Sequence, residues 1–180
     1  FKNRIINGAM VIDQRNAGAS VTPTAGQYLV DRWVTYNSQS SKYTVQQNAG
    51  SVTPPSGFSN YLGITVTATA TIGSTDYFLI RQSIEGFNTT DLGFGTAAAS
   101  ALTLSFWVRS SVTGTFGGSF QNAAESRSYA FSYTINAANT WQAVTVLIPG
   151  DTSGTWVGAS NAASCKVNFG FGNGSSYTGA

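Results

Sequence analysis

The chain has 180 residues, enough for one domain with a substantial core, and a net charge of +2 spread along it, which argues against a phosphate-binding surface and so against nucleic acid. It has no histidine and a single cysteine, which excludes Ser-His-Asp and Cys-His catalysis, histidine metal sites and a disulfide within the chain. Charged residues are only 9%, against about 25% in average soluble domains, and no apolar run approaches the roughly 20 residues of a membrane-spanning helix.

From the N-terminus, Ile5–Ile6 and Met10–Asp13 are two short strand candidates separated by the turn dipeptide Asn7-Gly8. The opening residues lack the apolar core of a signal peptide and an initiator Met, so the chain is expected to be a fragment of a longer one. After a loop over 16–26, the run 28–36 (YLVDRWVTY) is read as one strand, with 42–47 as its candidate partner. A second loop contains Pro54-Pro55, which cannot sit inside a central strand. Residues 64–72 (ITVTATATI) alternate strictly between apolar residues and threonine and predict a half-buried strand. Residues 77–84 (YFLIRQSI) predict another, with Phe78, Ile80, Gln82 and Ile84 on one face and Arg81 on the other.

A long connection over 85–100 offers at most a helical turn at Ala97–Ala99. Residues 102–110 (LTLSFWVRS) have the cleanest alternation in the chain. Leu102, Leu104, Phe106 and Val108 point to the core, and Thr103, Ser105, Trp107 and Arg109 point away. A hairpin turn is expected near Thr113-Gly114. Residues 128–135 (SYAFSYTI) place Tyr129, Phe131, Tyr133 and Ile135 opposite small side chains. Residues 141–148 (WQAVTVLI) form a strand stopped by Pro149-Gly150, a loop follows, and 166–171 is the last strand. Cys165 alternates with Val167 and Phe169, as a buried small apolar residue does. Many short strands without an amphipathic helix predict an all-β fold, an antiparallel β-sandwich of jelly-roll type over 1–180, with a closing strand expected beyond residue 180.

Several of these segments, taken in order, resemble one family. NRIINGAMVIDQR with Asp31-Arg32-Trp33, RQSIEG at 81–86, LTLSFWVRSS at 102–111, TWQAVTVLIPGDTSGTW at 140–156 and FGFGNGSSYTG near the end are similar to a β-sandwich domain of bacteriophage tail-fibre and other virion proteins. That family in turn resembles carbohydrate-binding jelly rolls. The resemblance implies a module at the virion periphery that contacts host-surface glycans and other virion proteins, as part of a homotrimer. A purely structural fibre or capsid-decoration role and a polysaccharide-degrading enzyme are the alternatives.

Sugars are held by stacking their C–H faces on aromatic rings while amides and charged groups bond the hydroxyls, which makes Trp107, Arg109, Arg81, Gln82 and Trp156 the candidate glycan residues. Trp107 and Arg109 would border a groove if strand 102–110 neighboured strand 128–135; otherwise Trp107 is covered by another sheet, loop or subunit. Trp156 stands in a Gly-Ser-Thr loop, where recognition and loop anchoring are both open, and Tyr177 in the terminal loop is similar. Trp33 and Trp141 are expected in the core. The seven acids stand in no motif that demands a catalytic pair, so no enzymatic activity is expected. No cofactor is expected either, beyond a structural calcium at Asp13 or Asp151 with backbone carbonyls. GFGNG at 170–174 lacks the context of a phosphate loop and reads as a turn.

Overall fold

A computed structural model describes residues 2–178; Gly179 and Ala180, the end of the predicted terminal loop, lie outside the described residues. The fold is all-β, with antiparallel strand pairs and, among the described residues, four single turns of 3-10 helix. Nine strands are present among the described residues: β1 Val34–Asn37, β2 Tyr43–Gln47, β3 Leu62–Val66, β4 Tyr77–Glu85, β5 Leu102–Val108, β6 Gly114–Asn122, β7 Ser128–Ile135, β8 Gln142–Ile148 and β9 Ala163–Asn173. The chain divides into two compact units. One is Ser83–Phe169 with the N-terminal residues through Arg4, and the other is Ile5–Gln82 with the residues from Gly170 onward.

In the Ser83–Phe169 unit, β5 and β8 pair over their full length, from Leu102 opposite Ile148 to Val108 opposite Gln142. The predicted alternation of β5 holds: Leu104 is buried and Phe106 half-buried, while Thr103, Ser105 and Trp107 are exposed. Phe106 is the hub of the inner face. Its ring lies 4.9 Å from Phe169 of β9, 5.1 Å from Tyr133 and 6.5 Å from Phe131, both of β7. Edge-to-face pairs of this kind add about 0.5–1.5 kcal/mol each beyond the area they bury. Burial pushes the Tyr133 hydroxyl up to about 12.

The condition for a Trp107–Arg109 groove, that 102–110 neighbour 128–135, is not met. The hydrogen-bonded neighbour of β5 is β8, and β7 pairs with β6. The segment expected to hold a hairpin turn is itself strand β6, lying between β7 and β9. One of its glycines, Gly118, is required by its neighbours. At Gly118 a Cβ would overlap the Asn168 carbonyl oxygen and come within 2.7 Å of the Phe131 ring. Strand β9 is longer than predicted, so Gly170–Asn173 of the GFGNG segment are strand rather than turn. Cys165 is buried as expected, and burial raises its thiol to about 12.

In the Ile5–Gln82 unit, Leu29, Tyr43, Val45 and Phe78 form the core, with Leu62, Ile64, Ile80 and Phe171 packed around them. Tyr43 stands edge-on to Phe171 at 5.0 Å and to Phe78 at 6.0 Å, and its hydroxyl is hydrogen-bonded to Thr35. The predicted strand 28–36 is interrupted. Arg32 adopts a left-handed conformation (φ +76°), and the chain doubles back so that Leu29 N–H donates to the Trp33 carbonyl at 2.8 Å. Only Val34–Asn37 remains as strand, paired with β4, while β2 pairs with β3. The alternating run 64–72 stops being strand at Val66, and the next two amides both donate to the Lys42 carbonyl.

The N-terminal strand candidates are also absent. Asn7 takes a left-handed conformation and its side chain bonds the backbone of Ile12 in both directions and the Asp31 carbonyl. Trp33 is buried as expected, and its indole N–H donates to the Asn7 carbonyl at 3.2 Å.

Candidate functional site

The loop that follows β8, Pro149 to Trp156, is held in place by the Asp151 carboxylate. Asp151 accepts two hydrogen bonds of 2.7 Å from Arg127, one on each oxygen. It also accepts the Ser153 amide at 3.1 Å and the Trp156 indole N–H at 3.3 Å. These donors, the Arg127 guanidinium foremost, hold the Asp151 carboxyl far below the usual carboxylate range, so it stays ionised. Gly154 turns the loop at φ +79°, with its α-carbon against the Arg127 side chain; a Cβ there would lie 2.8 Å from Arg127 Cγ and Cδ. The sequence therefore spaces Asp, Gly and Trp so that a tight polar turn presents an aromatic ring at its end.

Trp156 is half-buried. It stacks on Phe120 at 5.8 Å with the planes 20° apart, and Phe94 stands edge-on to it at 4.8 Å. These three rings line a cavity of about 200 Å³. Ile148 and Pro149 add apolar lining, Arg127 and Asp151 charged lining, and Tyr129, 38% exposed, lines it from the start of β7. Tyr129 keeps the face expected for it with Phe131 and Tyr133, opposite Phe120, and near the start of the strand that face lines this cavity. Nothing in the sequence links Arg127 to Asp151, and neither Arg127 nor Tyr129 stands in a motif that marks it for a site. Asp151 carried a weaker signal, as an acid in a Gly-Ser-Thr turn.

The five predicted site residues are divided between the two units. Trp107, Arg109 and Trp156 belong to the Ser83–Phe169 unit, Arg81 and Gln82 to β4 in the other. Trp107 is 44% exposed opposite Ala143, on a flat outer face that it shares with Leu147, 65% exposed. Arg109 is turned to the Asn139 carbonyl at 3.0 Å. Trp156 follows the other end of the β5–β8 pair. The five steps from Leu102 to Trp107 span roughly 17 Å at about 3.4 Å per residue, so the two tryptophans lie at opposite ends of the ribbon. Arg81 lies over the Tyr36 ring at 4.8 Å, a cation–π contact. Gln82 is fully buried. Its amide oxygen accepts the Ile6 N–H and its amide nitrogen donates to the Ile6 carbonyl, both at 2.8 Å, so neither group is left to face a ligand. Trp141, expected in the core, is half-buried, and Tyr177 is exposed with its ring edge-on to Tyr77 at 5.3 Å.

Six of the seven carboxylates, Asp151 among them, are engaged in local structure. Asp13 accepts the Asn16 and Gly18 amides, Asp31 the Gln14 amide, and Asp76 Ser38, Gln39 and Gly73. Asp91 holds Arg4 through two bonds of 2.8 Å, and Glu125 pairs with Lys166 at 2.7 Å. No group of three or more His, Cys, Asp or Glu is placed to bind a metal ion among the described residues.

No protein-family model and no curated protein sequence matches the chain. Among solved structures, its fold is similar to the enzymatically active domain of tailspike protein 4 of bacteriophage CBA120, with a TM-score of 0.50 and 15% identity. The match covers 93% of this chain and 19% of that one, so the chain spans about a fifth of the length of its structural neighbour.

Proposed function

We propose that this chain is a phage virion-associated module of a tail fibre or tailspike, a β-sandwich of jelly-roll type that holds host-surface glycans without cleaving them. The observation that carries the reading is the cavity beside Trp156: an aromatic lining, an exposed tyrosine and a fixed pair of charged groups around about 200 Å³. Rings supply apolar faces for the C–H surface of a sugar, and an ordered ion pair supplies donors and acceptors for its hydroxyls. The fold likeness to a tailspike domain supports the setting, and the sandwich reading is supported by the ring contacts that join β5 to β7 and β9.

The non-catalytic part of the proposal rests on the carboxylates. Glycosidases use two carboxyl groups about 5–9.5 Å apart, one with a raised pKa. Asp151 is the carboxylate that lines the cavity among the described residues, and its hydrogen bonds hold it ionised. The activity in the neighbour's description belongs to a protein of which this chain spans 19%.

The test is a glycan array probed with the intact chain, alongside Trp156→Ala and Tyr129→Ala. Binding in the parent and its loss in both variants, with folding retained, is the expected result. Absence of binding to every glycan, including host surface polysaccharide, would reject the proposal, and release of reducing ends from a bound polysaccharide would replace it with the enzymatic alternative. A second reading has its own observation: Trp107 and Leu147, exposed toward opposite ends of the same outer β5–β8 face, suit packing against a neighbouring subunit of a trimer or another virion protein.

A further inference from the structure

We infer that the Trp156 cavity takes a single neutral pyranose ring and discriminates against acidic sugars. The inference rests on the glycan reading above and sharpens it to a ligand class. Size is the first argument. Pockets for drug-sized ligands begin at about 300 Å³, so about 200 Å³ admits one ring and leaves further residues of a chain outside. Phe120 and Phe94 already pack on Trp156, which fixes those rings, and Tyr129 is the exposed ring against which a sugar face can lie.

Charge is the second argument. Arg127 and Asp151 are the charged residues that line the cavity among the described residues, and they neutralise each other. Arg127 commits its Nε and one terminal nitrogen to the two Asp151 oxygens, at 2.7 Å each. A carboxylated sugar placed there would meet the Asp151 carboxylate with no uncommitted cation in the cavity to balance it. Neutral hydroxyls face no such repulsion, and they can bond the remaining guanidinium N–H groups and the carboxylate lone pairs together. The pair therefore presents a donor and an acceptor side by side, the pattern that a vicinal diol matches.

The experiment measures matched neutral and uronic pairs, glucose against glucuronate and galactose against galacturonate, on the intact chain by saturation-transfer NMR and calorimetry, with the glycan array as the survey. Neutral sugars are expected to bind at least about tenfold more tightly than their uronic partners, and array hits are expected to end in neutral residues. Tyr129→Ala should abolish the neutral binding. Asp151→Asn leaves Arg127 unbalanced and should raise uronate affinity at least about tenfold. Should Asp151→Asn fail to fold, the uronate-to-neutral ratio in the parent chain and the Tyr129→Ala result decide the matter. Equal or tighter binding of the uronic acids, or neutral binding untouched by Tyr129→Ala, would overturn the inference and leave the glycan reading standing. A chain that binds no sugar and no array glycan would overturn both.

Discussion

Gln82 offers the sharpest test of whether a chemically suitable residue serves a ligand or the chain itself. It is fully buried, and its amide makes two hydrogen bonds of 2.8 Å to the backbone of Ile6. Gln82→Ala removes both. Each hydrogen bond of this kind contributes about 0.5–1.5 kcal/mol net, and the truncated side chain leaves a partial void, so a loss of about 2–3 kcal/mol is expected. Gln82→Glu keeps the shape and separates the polar contribution from packing. At neutral pH it buries a carboxylate and sets one of its oxygens against the Ile6 carbonyl, where the native amide donates. The loss should then be at least as large as for the alanine variant, about 3 kcal/mol. Burial raises the folded-state pKa of that Glu above its unfolded value of about 4.3. A group whose folded pKa is raised contributes stability below the unfolded value and loses it as pH rises through the folded value. Gln82→Glu should therefore regain stability as the pH is lowered from 7 toward 5, because the protonated carboxyl again donates to Ile6, whereas Gln82→Ala should not change over that range. Urea unfolding at the two pH values, extrapolated linearly, measures this. An alanine variant within about 0.5 kcal/mol of the parent that nonetheless loses glycan binding would refute the structural role and restore Gln82 as a ligand residue.

Three further outcomes are expected. Gly118→Ala should destabilise by about 1–3 kcal/mol, since its Cβ has nowhere to go between Asn168 and Phe131, whereas Gly117→Ala meets only the Phe131 carbonyl oxygen at 3.5 Å and should stay within about 0.5 kcal/mol; equal unfolding midpoints for the two would contradict the packing of β6. Asp91, Asp151 and Asp76 have carboxyls depressed by their hydrogen bonds, so their contribution is present above the unfolded value of about 3.9 and lost as pH falls through the folded values. Stability should thus fall below about pH 4, less steeply in Asp91→Asn, and a steeper fall in that variant would oppose the assignment. Cys165 should resist a thiol reagent at pH 8 in the folded chain and react on unfolding, because burial holds its thiol near 12; rapid labelling of the native protein would show the burial to be wrong.

Strand faces were legible wherever a partner strand and a core gave the alternation something to report. Strand β5 has the predicted bounds but for its last two residues, and the buried faces of β4 and β7 follow their apolar sets. The failures have separate physical causes. Strand β6 was hidden because Gly114, Gly117 and Gly118 leave its pattern blank, although the close approach of Phe131 and Asn168 demands a residue without a side chain at Gly118. The run 28–36 alternates on paper, but Arg32 reverses the chain inside it. Residues 67–72 alternate as well as 62–66 do, yet extended ladder pairing stops at Val66 opposite Tyr43. Periodicity records which residues tolerate an extended backbone, and the partner that makes a strand lies elsewhere in the chain.

The same distinction separates the motifs from the site. Ile6 of NRIING is bound to Gln82 of RQSIEG, and Asn7 ties Ile12 and Asp31, with Trp33 donating back to Asn7. Those contacts are joints of the backbone, in which Gln82, Asn7 and Trp33 spend their polar groups on carbonyls and amides within one unit. A module that varies its ligand while keeping its scaffold cannot place specificity in such joints, because each change there costs stability first. The groups free of that duty are Tyr129 at the start of an edge strand and the outward donors of Arg127, held by a loop whose Asp151 and Gly154 set its shape. Of these, the sequence signalled only the loop, through Trp156. The loop's partner arrives from residue 127, and a contact between separate segments is what local pattern does not encode.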